Sequence, residues 1–237
     1  MSPASPTHWS GWYSLQAAVT YVTMAAALWC VFVYVPTERA QGIVQRIFYF
    51  HVSSALTMFV AFSVVCLASI GYLWKQTPWW DSIALSAAEL GVVFCTMVLI
   101  TGPIWARPIW GVWWTWDPTL TLTLVLWLIY VAYLMLRAET PDASRMRFAA
   151  IVGIIGFVDV PLIRWTVTKW RTLHPKPVIV QEGGQTGLPP SMLLTFIVAL
   201  SACLLLFALL MRERAALALR RHEFESLRDT VENDLTG

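Results

Sequence analysis

Polar and apolar residues are segregated into long blocks along this chain, not interleaved. Six apolar blocks, at residues 14–35, 47–74, 82–101, 118–137, 146–167 and 191–211, each approach or exceed the ~20 residues a helix needs to cross the ~30 Å hydrocarbon layer of a bilayer. A helix satisfies its own backbone hydrogen bonds, which a lipid-exposed span requires. The pattern predicts an all-α, polytopic membrane protein: six transmembrane helices in a single integral membrane domain over residues 1–237, with a short interfacial Trp-rich segment. Six spans put both termini on one side. The loops at 36–46, 102–117 and 168–190 then face one compartment, and the other two loops face the opposite one with both tails. The tail at 212–237 reads as a charged helix, either a solvated extension or a docking element.

Composition agrees. Apolar residues make up 58% of the chain and charged residues 13%, against roughly 25% charged in an average soluble domain. A formal charge of +2 with no basic stripe sets nucleic acid aside. Cys30, Cys66, Cys95 and Cys203 all sit inside apolar blocks without C-x-x-C spacing, and read as packing residues. The first block lacks a basic leader and runs to residue 35, so it is expected to be a retained helix and not a cleaved signal. Nine Lys and Arg flank the side of the termini and seven the other. Cations are retained in the cytoplasm, so the narrow margin places both termini there. A bound anionic ligand would account for the seven outer cations.

The loop at 102–117 holds Trp105, Trp110, Trp113, Trp114 and Trp116 within twelve residues. If the stretch after Pro108 is helical, Trp110, Trp113 and Trp114 share one face that could lie flat on the membrane surface. Such a face serves equally as an interfacial belt or as an apolar platform for a ligand. Asp117 before Pro118 reads as a helix start, the carboxylate accepting from the N2 or N3 amide and proline standing at N1, and it is also a candidate site residue that fixes the ligand or an indole N–H.

Topology sorts the histidines. His8 and His222 lie in the tails and read as solvated, while His51, one turn into the second span, and His174, in the 168–190 loop, share the side of the tryptophans. No cysteine is available there for a structural zinc site. Two imidazoles, an indole surface and nearby cations instead match haem, whose iron takes two axial ligands and whose propionates pair with Arg or Lys. Arg46, Arg107, Arg164, Lys169 and Arg171 are the candidate propionate contacts, although Arg46 falls on a different helical face from His51. Asp159 and Arg164 flank Pro161 and are expected to pair with each other; Glu89 has no partner legible in sequence.

These residues resemble a known family. Trp110-Gly-Val-Trp-Trp-Thr-Trp-Asp117 looks like the WWD signature of the haem-handling proteins of cytochrome c maturation, and the specific likeness is to the CcmC family. The segments from Gln45 through His51, from Gly102 to Pro108, and from Trp170 through His174 are similar to that family's flanking segments. The resemblance implies that His51 and His174 are axial ligands to haem b on the periplasmic face of the bacterial inner membrane, over a tryptophan surface. It further implies a binding and delivery protein and not an enzyme, passing haem to the chaperone CcmE beside the ATP-binding cassette subunits CcmA and CcmB and the small protein CcmD. The family pattern carries an arginine where this chain has Thr119, so Arg107 or Arg171 is expected to substitute. A permease moving haem or another amphiphile, and a membrane anchor for a partner complex, are the alternatives.

Overall fold

The computed structural model describes residues 11–138, 143–170, 174–175, 178–179 and 185–236. The described residues are helical apart from short connections, and six helices are long and apolar enough to cross a membrane. Helix α1 (Gly11–Trp29) continues into a π-helical turn at Cys30–Tyr34, and a short 3-10 turn at Ile43–Arg46 leads into α2 (Ile47–Lys75). Next come α3 (Pro78–Trp110) and α4 (Pro118–Ala138), the pair α5 (Ala143–Phe157) and α6 (Asp159–Lys169) that forms one crossing, and α7 (Pro190–Thr236).

Local chemistry sets the breaks. Helix α2 ends where Gln76 takes a left-handed conformation (φ 49°) and returns its N–H to the Tyr72 carbonyl. Pro78 then starts α3 at the first helical turn, where its missing donor costs nothing. The start at Pro78 extends the expected third span by four residues. Pro161 has no N–H for the Phe157 carbonyl, and the helix breaks at Val158, between α5 and α6.

Residues 102–110, expected in a loop, belong to α3 despite Pro103 and Pro108. An apolar setting favours this, because opening the chain there would free many backbone groups where a proline strands only one carbonyl.

The core joins α2, α3, α4 and α5. Phe62 stacks on Tyr130 with ring centroids 3.9 Å apart, and the Tyr130 hydroxyl donates to the Gly153 carbonyl at 2.9 Å. Gly91 lets α3 approach that stack; a Cβ there would lie 2.6 Å from the Phe62 ring. A second cluster, including Val31, Phe48, Tyr49 and Phe196, joins α1, α2 and α7. Outward residues such as Val22 and Val33 are exposed and apolar, as a lipid-facing surface should be.

Helix α7 is 47 residues long, or about 70 Å at 1.5 Å per residue, far more than a bilayer core needs. Its extension packs antiparallel against the start of α3. Arg214 donates to both carboxylate oxygens of Glu89, at 2.7 and 2.5 Å, and eight residues further on His222 Nε2 lies 3.2 Å from Asp81 Oδ2. Glu89 therefore has a partner, and His222 is not a solvated tail residue; neither contact is visible without the α3–α7 register. Asp81 also receives both terminal nitrogens of Arg137 at 2.8 and 2.5 Å. The expected pairing of Asp159 with Arg164 is absent among the described residues. Asp159 is buried with Oδ2 unpartnered, and Arg164 points outward, because five residues of α6 separate the two by about 140° around the helix.

Candidate functional site

His51 sits in α2 on the face turned toward α3, where its Nδ1 lies 2.9 Å from Thr101 Oγ1. The Thr101 hydroxyl donates to the Met97 carbonyl one turn back at 2.6 Å. One turn on, Trp105 stands edge-on to the imidazole with centroids 5.8 Å apart at 68°. The Trp105 indole N–H is donated to Gln41 Oε1 at 3.0 Å. Gln41 is held in turn by Glu38, whose Oε2 accepts the backbone N–H of Ala40 at 2.8 Å and of Gln41 at 2.6 Å. Those two bonds keep the Glu38 carboxyl below the usual carboxylate range.

Helix α3 ends at Trp110 because Gly111 adopts φ 76° and returns its N–H to the Arg107 carbonyl at 3.0 Å. The helical face expected for Trp110, Trp113 and Trp114 is therefore not formed. The turn at Gly111 brings the same three indoles to one cleft by a different route. Asp117 caps α4: Oδ1 accepts the N–H of Thr119 at 3.0 Å and of Leu120 at 3.2 Å, so the carboxylate serves the N2 and N3 amides together.

His51, His174, Trp105, Trp110, Trp113 and Trp114 line one partly open cleft, with Thr119 and Thr123 of α4 among its other walls. Trp116 does not line it; this ring packs edge-on to Trp114 at 5.7 Å and is 75% exposed. The Trp114 N–H is buried with no acceptor among the described residues. His174 Nδ1 lies 3.1 Å from the Pro175 carbonyl. Burial pushes the His174 imidazole pKa down, against the opposing pull of that carbonyl and of the Asp117 carboxylate.

Of the expected cations, those among the described residues do not line the cleft. Arg46 donates to the Phe32 carbonyl at 2.9 Å, bracing the end of the first span. Arg107 folds back onto the Gly111 carbonyl, Arg164 and Lys169 are exposed elsewhere, and Arg171 lies outside the described residues. Among the described residues no Lys or Arg lines the cleft. Thr119 is buried, its hydroxyl 3.1 Å from that of Thr166.

Sequence reasoning missed Gln41 and Thr101. Neither residue type signals a site, and each matters only through a partner 64 or 50 positions away. Chemically, the arrangement offers imidazole nitrogens from two segments beside flat aromatic walls. That donor set fits a planar macrocycle whose metal takes axial ligands, and it fits poorly with a small polar ligand.

The model of a known family described as heme exporter protein C, CcmC, matches residues 2–229. Heme exporter protein C of Bradyrhizobium diazoefficiens is 37% identical over 196 residues, covering 82% of this chain and 73% of that protein. Its counterpart in Escherichia coli K12 is 35% identical over 176 residues, covering 73% of this chain and 71% of its own length. A ccmC-like mitochondrial protein of Marchantia polymorpha, described as a cytochrome c biosynthesis protein, is 33% identical over 159 residues and covers 67% of both chains. With a match across nearly its whole length and relatives aligned over most of theirs, the chain belongs to the CcmC family.

Proposed function

We propose that this protein binds haem b at the periplasmic face of the bacterial inner membrane and delivers it for cytochrome c maturation. The observation that carries the reading is the cleft in which His51 and His174, from segments far apart in sequence, share apolar walls with four indoles. The names of the relatives support the haem-handling role. His51 and His174 would hold the iron, and Trp105, Trp110, Trp113 and Trp114 would supply the apolar surface for the macrocycle. With the cleft periplasmic, both termini would be cytoplasmic, the orientation that the nine-to-seven count of Lys and Arg favours.

The chain's own residues supply binding, orientation and exclusion of water. One ligand is built into the helices and the other stands on a loop, so the second can be released while the first still holds. That suits delivery to a periplasmic chaperone such as CcmE, within an assembly including CcmA, CcmB and CcmD. The test is the haem spectrum of the protein purified in mild detergent. His51→Ala and His174→Ala are each expected to alter the Soret band and the axial-ligand signature. Unchanged spectra in both variants would overturn the site.

A further inference from the structure

We propose that Thr101 is a positioning residue that fixes the tautomer of His51 and so turns its Nε2 lone pair to the cleft. The inference rests on the haem reading only for its functional consequence; the tautomer itself follows from hydrogen-bond chemistry.

A threonine hydroxyl carries one proton and two lone pairs. The Thr101 proton goes to the Met97 carbonyl at 2.6 Å, an oxygen that can only accept. Toward His51, 2.9 Å away, Oγ1 can then offer only a lone pair, so Nδ1 must carry the hydrogen. In a neutral imidazole one nitrogen donates and the other accepts, which leaves Nε2 as the free base. Among the described residues no group hydrogen-bonds to Nε2. Gly102 makes the close approach feasible, since a Cβ there would stand 3.3 Å from His51 Cε1 and 3.9 Å from Nδ1.

The consequence is a ligand held ready. His51 belongs to a buried helix and is 8% exposed, and its ring is fixed from behind by an acceptor on a second helix. A metal-ligating histidine whose other nitrogen donates to an oxygen is fixed in orientation and made more basic. A hydroxyl that has already given its proton away is a better acceptor than an isolated one. His174 takes its Nδ1 contact from the carbonyl of the next residue. The two imidazoles thus have Nδ1 contacts to oxygen in different settings, one across two membrane helices and one to the next residue of a loop.

The test is nitrogen-15 NMR of histidine-labelled, haem-free protein in bilayers at pH 8, with His51 assigned by its loss in His51→Ala. The expected result is a protonated Nδ1 and a bare Nε2 in the wild type, retained in Thr101→Ser and replaced in Thr101→Val by a population carrying the proton on Nε2. A wild-type His51 protonated on Nε2, or a Thr101→Val spectrum identical to wild type, overturns the proposal. The haem arm is separate: Thr101→Val is expected to bind haem ~10–100-fold more weakly and with a raised midpoint potential, while Thr101→Ser behaves as wild type. Failure of the wild type to bind haem, with the tautomer pattern intact, would count against the haem reading and not against the role of Thr101.

Discussion

The Trp105 indole donates its N–H to Gln41 Oε1 across 64 positions of sequence, at 3.0 Å. This bond ties the connection between α1 and α2 to the ring that stands against His51, so a change in that connection reaches the cleft. Gln41→Leu keeps the bulk and removes the acceptor. A lost hydrogen bond of this kind is worth about 1 kcal/mol, roughly a fivefold change in an equilibrium. Haem titration of the purified variant is expected to show weakening of that order, and an unchanged affinity would show that Trp105 needs no anchor.

The tryptophans divide by position. Trp113 and Trp114 line the cleft and Trp116 lies outside it, largely exposed. The double variant Trp113→Ala/Trp114→Ala is expected to lose haem affinity by more than about tenfold, because each buried aromatic face contributes roughly 1.5–3 kcal/mol. Trp116→Ala is expected to stay near wild type. Equal losses in the two variants would favour an interfacial belt over a ligand wall.

Glu38 gives the connection between α1 and α2 a pH dependence. Its carboxylate accepts two backbone N–H groups, and its pKa in the folded protein is therefore lowered. A carboxyl with a depressed folded pKa contributes stability above its unfolded value, near ~4.3, and loses it as pH falls through the folded value. Protection of the Ala40 and Gln41 amides against hydrogen exchange, corrected for intrinsic rate, is expected to be flat from neutral pH down to about 4.5 and to fall below that. Glu38→Gln should show the low-pH behaviour throughout.

At the opposite end, Asp81 and Arg137 are both nearly inaccessible, with side-chain exposures of 2% and 8%. Arg137→Met leaves the buried Asp81 carboxylate with only His222 beside it, and breaking a buried pair typically costs ~3–5 kcal/mol. Thermal unfolding in detergent is expected to show a large loss for Arg137→Met and recovery when Asp81→Leu is added. The more exposed pair Arg214 and Glu89, at 45% and 29%, should lose no more than ~1 kcal/mol in Arg214→Ala.

Much of the site was legible in the chain because it rests on residue types with strong intrinsic chemistry. Asp117-Pro118 announces a cap and a helix start wherever it occurs, and the structure has both. Loop parity put His51 and His174 on one side with the tryptophans, and the cleft contains both histidines. The helical face assigned to Trp110, Trp113 and Trp114 failed because Gly111 ends the helix in a left-handed turn, a choice the preceding prolines masked. Arg46 and Arg107 were placed at the site for want of a visible partner; each donates instead to a backbone carbonyl at a helix end.

Hydropathy alone was enough for six crossings, since the cost of an unpaired backbone group in lipid leaves a long apolar block little option but a helix. Side-chain partners followed no such local rule. Which hydroxyl faces His51, which amide holds Trp105, and that Glu89 and Asp81 meet the last helix all depend on how helices are rotated and staggered against one another. Rotation and stagger are set by packing, through contacts such as Phe62 on Tyr130 over the gap left by Gly91, and packing sums over many weak, non-local interactions that no short stretch of sequence contains.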